Sequence, residues 1–579
     1  MSENNLTEGK EARPWLTVEM GLYAIILVLA LALRLGGLDI RVMDTPEAAQ
    51  ALQSWNLAQG DAATDSYSPL LALGQALVFA LFGASDGTAR LLPALAGSTL
   101  VVLPYLFRDH LGRIGALFSA LILAISPTLV YSARYGSGMS LTIACTVALL
   151  GLWLAYRSTP RPGTLYAGAV VAGLLLLSDA RVIGVAVALA ISWAIERLAF
   201  KRDILYLEDE LAIPWKRLAL VAGATLVLGA TALTLNPSGL GVWADSITVW
   251  ASHLAPLVNG QPWYYPLGAL LLYEPLLIVF GSIGALDLII RKDKASMVVW
   301  LALGAIALSL LAGGRDTGDV ALVCALLGIA AGRAIENLVE NWFQEEQPIR
   351  AGLYVLIALG IVTYIALEAS FYSFALSRSM DKASQFLWFW LLSIALALLL
   401  SGLLVAWYGT RATWRIGGTA LLLILLVAAF SATTGLNFRH ANDPRELHIH
   451  VASDEGVRSA LAVLADLSDH TTGHPLTTPL TVEAGLGPVW QWYLRDWEDL
   501  RVVETLTADI STPLVLADAS SEQPALGEQY IGQDFVARTW WQTEQLAGNQ
   551  QPRWWLYRKS VSKPTPVQRV IVWMQAKAP

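Results

Sequence analysis

Apolar runs of about 17–25 residues, each long enough for a helix to cross a bilayer, recur along the first three quarters of the chain. They fall at approximately 16–35, 90–107, 114–133, 139–156, 164–179, 182–199, 216–235, 265–289, 296–312, 318–336, 351–370, 385–408 and 415–434. The pattern predicts about thirteen spans. The first run is too long for a signal-peptide core and lacks a small-residue cleavage site, so it reads as a retained span. Two intervening loops are long. Within 36–88 the residues from Pro46 to Leu57 follow a helix-start signal, with Thr45 as N-cap, and place Ala48, Ala51, Leu52 and Trp55 on one face. The stretch Pro69–Phe82 is apolar but short, which suits a second interfacial or half-buried helix. The loop 236–266 carries Trp243, Trp250, His253, Trp263, Tyr264 and Tyr265.

The pattern changes after Gly435. Strands are predicted at 448–451, 480–483, 502–503, 513–517 and 554–557, with helices at 454–467 and 490–497. That alternation predicts a small α/β domain. The expected fold is therefore a mainly α, polytopic transmembrane bundle over 1–435, with interfacial helices in its first outer loop, followed by a soluble α/β domain over 436–579.

Composition agrees with the spans. Of 579 residues 55% are hydrophobic and 15% charged, with a mean hydropathy of +0.53. The net charge of −8 argues against a nucleic-acid partner. Cys145 and Cys324 both sit in apolar runs, so no disulfide framework or thiolate metal site is expected. Basic residues gather at alternate ends of the runs: Lys10 and Arg13, Arg108 and Arg113, Arg157 and Arg161, Arg197 to Arg202, Lys216 and Arg217, Arg291 to Lys294, Arg411 and Arg415. That side is read as cytoplasmic. With an odd span count the N-terminus is then cytoplasmic and the tail extracytoplasmic. No G-x-G-x-x-G or P-loop follows the tail strands, and no internal symmetry supports a transporter.

Several motifs occur in a fixed order. Asp44-Thr45-Pro46-Glu47-Ala48 opens the first loop helix and Ser68-Pro69-Leu70 the next. Ala89-Arg90-Leu91-Leu92-Pro93 opens a span, and Arg108-Asp109-His110-Leu111-Gly112-Arg113 follows it. Then come Ala124-Ile125-Ser126-Pro127, Ser132-Ala133-Arg134-Tyr135, Asn236-Pro237-Ser238-Gly239, Pro262-Trp263-Tyr264-Tyr265-Pro266, Leu272-Tyr273-Glu274-Pro275 and Trp492-Tyr493-Leu494-Arg495-Asp496. In this order they resemble the C-type glycosyltransferases, polytopic enzymes that use lipid-phosphate sugars and include protein mannosyltransferases and aminoarabinose transferases. They also resemble bacterial and archaeal membrane proteins associated with flippase or glycosylation functions.

The resemblance implies transfer of a sugar from a polyprenyl-phosphate donor to a lipid, glycan or protein acceptor at the extracytoplasmic face, among membrane lipids. The alternative is a non-catalytic relative that binds lipid-linked glycans or assists a flippase. The adjacent Asp-Glu pair usual in such enzymes is altered here, with Pro46 at the Asp position and Asp44 two residues earlier. Tyr135-Gly136-Ser137-Gly138 stands where many relatives are acidic, and Asp179-Ala180-Arg181 where a lysine is common.

Such transfer needs a carboxylate to deprotonate the acceptor and a cation to receive the departing phosphate. Glu47, ahead of Asp44, is the expected base, the alternative being a helix-start acid favoured by the macrodipole. Arg134, Arg181 and Arg34 lie at outer span ends, and a phosphate clamp suits Arg134 or Arg181. The competing readings are snorkelling, or pairing of Arg181 with Asp179. Trp263, Tyr264 and Tyr265 offer a sugar-stacking surface or an interfacial belt. Glu274, inside an apolar span, is read as substrate-binding or as the partner of a buried arginine. His448 and His450, two apart on a predicted strand, read as a solvated face. No cofactor is expected, and no metal is assigned, although some C-type transferases use a divalent ion.

Overall fold

The computed structural model describes residues 17–60, 68–199, 213–234, 236–237, 239–255, 261–343, 347–449, 451–519, 526, 530–543 and 546–576. Lys10, Arg13, Lys201, Arg202, Ser238 and His450, used in the sequence reading, lie outside these residues.

The protein is a multi-pass helical membrane protein. Among the described residues six helices are long and apolar enough to cross a bilayer: Val18–Leu35 (α1), Asp86–Leu111, Met139–Ser158, Thr317–Phe343, Pro348–Ser377 and Ala383–Arg439. Two bent pairs raise the number to as many as eight, and Pro69–Phe82, Pro162–Leu176 and Ser296–Leu311 are apolar but shorter. The thirteen expected runs thus divide into full-length helices, broken spans and short helices. Each break has a local cause. Ser126 is extended and Pro127 begins a new helix, so Arg113–Ile125 and Pro127–Ala133 meet at 61°. At Glu274-Pro275 the proline has no N–H to continue the ladder, and the two flanking helices bend by 106°. The helix from Ala383 is interrupted at Gly409, whose φ of 82° suits glycine, between the runs expected at 385–408 and 415–434.

The first loop folds as expected into two helices, Thr45–Gln59 (α2) and Pro69–Phe82 (α3), before Asp86–Leu100 (α4). The N-cap of α2 is Asp44 rather than Thr45, because the Asp44 carboxylate accepts the Glu47 N–H at 3.2 Å. The loop at 236–266 contains a further helix, Gly239–Leu254.

Among the described residues the tail forms one six-stranded mixed sheet: β1 (Val451–Ser453), β2 (Leu480–Glu483), β3 (Leu500–Val503), β4 (Leu514–Asp518), β5 (Tyr530–Trp540) and β6 (Thr565–Gln575). The order is β1-β5-β6-β4-β2-β3, with β2 parallel to β3 and β4 and the other pairs antiparallel. Two expectations fail here. Residues 554–557 lie in a helix, Gln551–Tyr557, where Trp554 is buried and its indole donates to the Arg445 carbonyl at 3.0 Å. Residues Leu447–Ile449 form a helical turn, and the strand starts only at Val451.

The sheet and the first loop share a hydrophobic core. Val42, Met43, Ala48 and Phe79 pack with Val457, Trp490, Trp492 and Leu494. Asp86 at the start of α4 accepts the Trp492 indole N–H at 2.9 Å and the Tyr493 hydroxyl at 2.7 Å, and Tyr493 Oη in turn accepts the Met43 N–H at 3.0 Å. Arg495 Nη2 donates to the Ala84 carbonyl at 2.5 Å and Arg458 Nη1 to that of Ile40 at 3.1 Å. The Trp492-Tyr493-Leu494-Arg495 motif is therefore the clasp that fixes the tail on the first loop, on the same face of the bundle.

Candidate active site

A cavity of about 580 Å³ opens where the first loop, the helical bundle and the tail meet. Asp44 lines it. Its Oδ1 accepts the Tyr135 hydroxyl at 2.9 Å as well as the Glu47 N–H, and Oδ2 has no protein partner among the described residues. Burial, and then the Glu47 charge, push the Asp44 carboxyl up to about 6.

Glu47, the expected base, is engaged elsewhere. It is 1% exposed. Arg90 donates to it bidentately, Nε to Oε1 at 3.0 Å and Nη2 to Oε2 at 2.8 Å. Arg41 Nη2 lies 2.7 Å from Oε2, and the Gly136 N–H donates to Oε1 at 2.6 Å. Burial alone pushes the carboxyl up, but Arg41 and Arg90 outweigh it and hold Glu47 ionised. Glu47 pins α2 to α4 and to the turn at Gly136. Arg41 lies over the rings of Tyr131 and Tyr135, at 5.1 and 4.8 Å from their centroids, and reaches the cavity wall.

The expected arginines separate. Arg134 is tied to the end of α1 and the turn after it, donating to the carbonyls of Leu33, Gly36 and Gly37 at 3.2, 2.5 and 2.6 Å. Arg34 is fully buried and donates to the carbonyls of Ala124 and Leu123 at 3.0 and 2.8 Å, satisfying the broken end of Arg113–Ile125. Both guanidinium groups are engaged by backbone carbonyls. Arg181 does reach the cavity, but with Asp179 at 3.2 Å, Asp319 at 3.5 Å and Asp316 in direct contact. His253, 3.2 Å from Asp319, completes the cluster, and the hydrogen bond to Asp319 raises its pKa. These carboxylates are already organised around a guanidinium. Among the described residues no group of three or more His, Cys, Asp or Glu is arranged to hold a metal ion.

Glu274 accepts the Ser126 hydroxyl at 2.6 Å and the Thr128 N–H at 3.0 Å. It caps the helix Pro127–Ala133 and is not paired with an arginine among the described residues. Trp263 and Tyr264 are exposed, whereas Tyr265 is buried and lines the cavity. His448, expected on a solvated strand, is buried instead. It stacks on Tyr273 at 4.5 Å and Tyr131 at 5.5 Å, with Nδ1 3.1 Å from Tyr265 Oη and Nε2 3.2 Å from Thr128 Oγ1. Burial, and then Arg558, lower its pKa to about 3, so the imidazole is neutral at physiological pH.

Residues 66–213 match the family model for dolichyl-phosphate-mannose-protein mannosyltransferase. The structure is similar to that of ArnT from Cupriavidus metallidurans bound to undecaprenyl phosphate, with a TM-score of 0.51 and 14% identity over 96% of this chain and 97% of that one. Apo ArnT gives 0.50 and 16% over 96% and 98%. The fold is that of the C-type glycosyltransferases. The apo oligosaccharyltransferase of Archaeoglobus fulgidus is more distant, at 0.46 and 13% over 87% of this chain and 70% of that one. No curated protein matches the sequence.

Within this C-type fold the cavity walls include residues the sequence reading passed over: Arg41, Tyr131, Arg315, Asp316, Ser453 and Arg538. Arg315 and Asp316 carried a signal, being charges in a short loop between two apolar helices. Ser453 and Arg538 carried none, because only the folded sheet brings them to the bundle.

Proposed function

We propose that the protein transfers a sugar from a polyprenyl-phosphate carrier to an acceptor hydroxyl in this cavity, on the extracytoplasmic side, with Asp44 as the base. The observation that carries the reading is Asp44 itself: a carboxylate held by Tyr135 at 2.9 Å, facing the cavity, with one oxygen unpartnered among the described residues. That oxygen takes the acceptor proton as the acceptor oxygen attacks the anomeric carbon. The bond from that carbon to the phosphate oxygen breaks, and the phosphate leaves as an anion. Arg41 is the cation assigned to it. Arg41 and Arg90 share the one Glu47 carboxylate, leaving a net positive charge in that triad, whereas Arg181 is outnumbered by three carboxylates. The undecaprenyl phosphate bound to ArnT supports a carrier of this class.

Protein in nanodiscs, given a radiolabelled polyprenyl-phosphate sugar, is expected to release or transfer the label. Asp44→Asn should lower turnover by about 10²–10⁴-fold, the usual contribution of a positioned base. An unchanged rate in that variant removes Asp44 from the mechanism. Pro46, which takes the place of a relative's carboxylate, favours a second reading in which the protein binds the carrier without transfer; donor binding with no turnover in the native protein would establish it.

A further inference from the structure

The tail gives the cavity one wall of its own. Ser453 in β1 and Arg538 in β5 are register partners, so their side chains leave the sheet on the same face, and both line the cavity. The pairing of β5 with β6 shifts on either side of Arg538, an irregularity of the kind that re-aims a side chain out of strict alternation. Arg538 makes no salt bridge or side-chain hydrogen bond among the described residues. Ser453 is 4% exposed, yet its Oγ has no hydrogen-bond partner among the described residues. Asn442, on the same wall, donates from Nδ2 to Glu455 at 2.8 Å and leaves Oδ1 buried and unpartnered.

Buried polar atoms are nearly always satisfied, so orphans gathered on one cavity wall point to a ligand. Their chemistry is specific. A guanidinium donates to an anion, Asn Oδ1 accepts from a hydroxyl, and Ser Oγ does either. Elsewhere in the cavity Asp179 and Asp316 are paired with Arg181, and Arg41 lies beside Glu47, so those charges already have partners.

We infer that this wall binds an anionic sugar unit, a hydroxylated ring bearing a carboxylate or phosphate, with its charge on Arg538 and its hydroxyls on Ser453 and Asn442. Assigning that ring to the acceptor rests on the transfer reading above; the binding itself does not. The test uses the full chain in nanodiscs with glucuronic acid, glucose 6-phosphate and glucose as probes, followed by saturation-transfer NMR. The two anionic sugars are expected to bind at least about tenfold more tightly than glucose, a gap that one charge-assisted contact supplies. Arg538→Gln should bring the three within about twofold, and Arg538→Lys should keep part of the preference. Equal binding of the three by the native protein, or an undiminished preference in Arg538→Gln, overturns the inference. Decaprenyl phosphate is the second arm. If its own binding falls with Arg538→Gln while that of glucuronic acid does not, the arginine belongs to the carrier phosphate and the inference fails. None of these measurements needs turnover, so an inactive protein that still prefers the anionic sugars supports this wall while refuting transfer.

Discussion

At the scale of single residues the two acids of α2 have divided their work by environment. Three residues apart, Asp44 faces an opening and Glu47 faces two guanidinium groups. The base proposed above must be ionised, and burial raises the Asp44 carboxyl to about 6. The rate of transfer should therefore be flat above about pH 7 and fall tenfold per unit below pH 6, a limb read directly from a pH–rate profile. His448, neutral down to about pH 3, should add no step between pH 5 and 8. Glu47→Gln removes the one carboxylate paired directly with both Arg41 and Arg90. Breaking a buried pair in this way costs about 3–5 kcal/mol, so thermal unfolding should occur at a clearly lower temperature than in Asp44→Asn. Equal stability of the two variants would contradict the structural role given to Glu47. The sequence exposed both acids and ranked Glu47 first, because it could not show Arg90 reaching Glu47 from 43 positions away.

At the scale of elements the breaks matter as much as the helices. Hydropathy located the apolar runs well, and α3 falls where it was expected, since length and composition are local properties. It could not show that Ser126-Pro127 and Glu274-Pro275 interrupt two of them, nor that the two interruptions meet. They meet through Glu274, which accepts from Ser126 and Thr128. Glu274→Ala leaves two buried donors unsatisfied at roughly 1–3 kcal/mol each. The expected result is a lowered unfolding temperature, with turnover per folded molecule within about twofold of the native value; loss of turnover at full stability would give Glu274 a part in the chemistry instead. In the tail, β5 and β6 escaped notice because their polar outward positions and flanking glycines and prolines masked the alternation, while the aromatic run at 554–557 resembled a strand but forms a helix around buried Trp554.

For the whole molecule, the clasp of Trp492 and Tyr493 on Asp86 fixes the tail and the first loop on one face. That face is predicted to be extracytoplasmic. Of the native thiols Cys324 is buried and Cys145 lies in the helix Met139–Ser158, so single cysteines introduced at Gly60 and Thr471, both exposed, can be read by an impermeant maleimide on intact cells. Both should label from outside; labelling at one and not the other would break the shared-face arrangement, and labelling of neither on intact cells would invert it.

The chamber's walls come from distant parts of the chain. His448, Ser453 and Arg538 all follow the last span, so a nascent chain whose helices are already inserted still presents Asp44 to an open trough. Without the tail, the base proposed above would lack the wall that Ser453 and Arg538 supply, and its cavity would stand open.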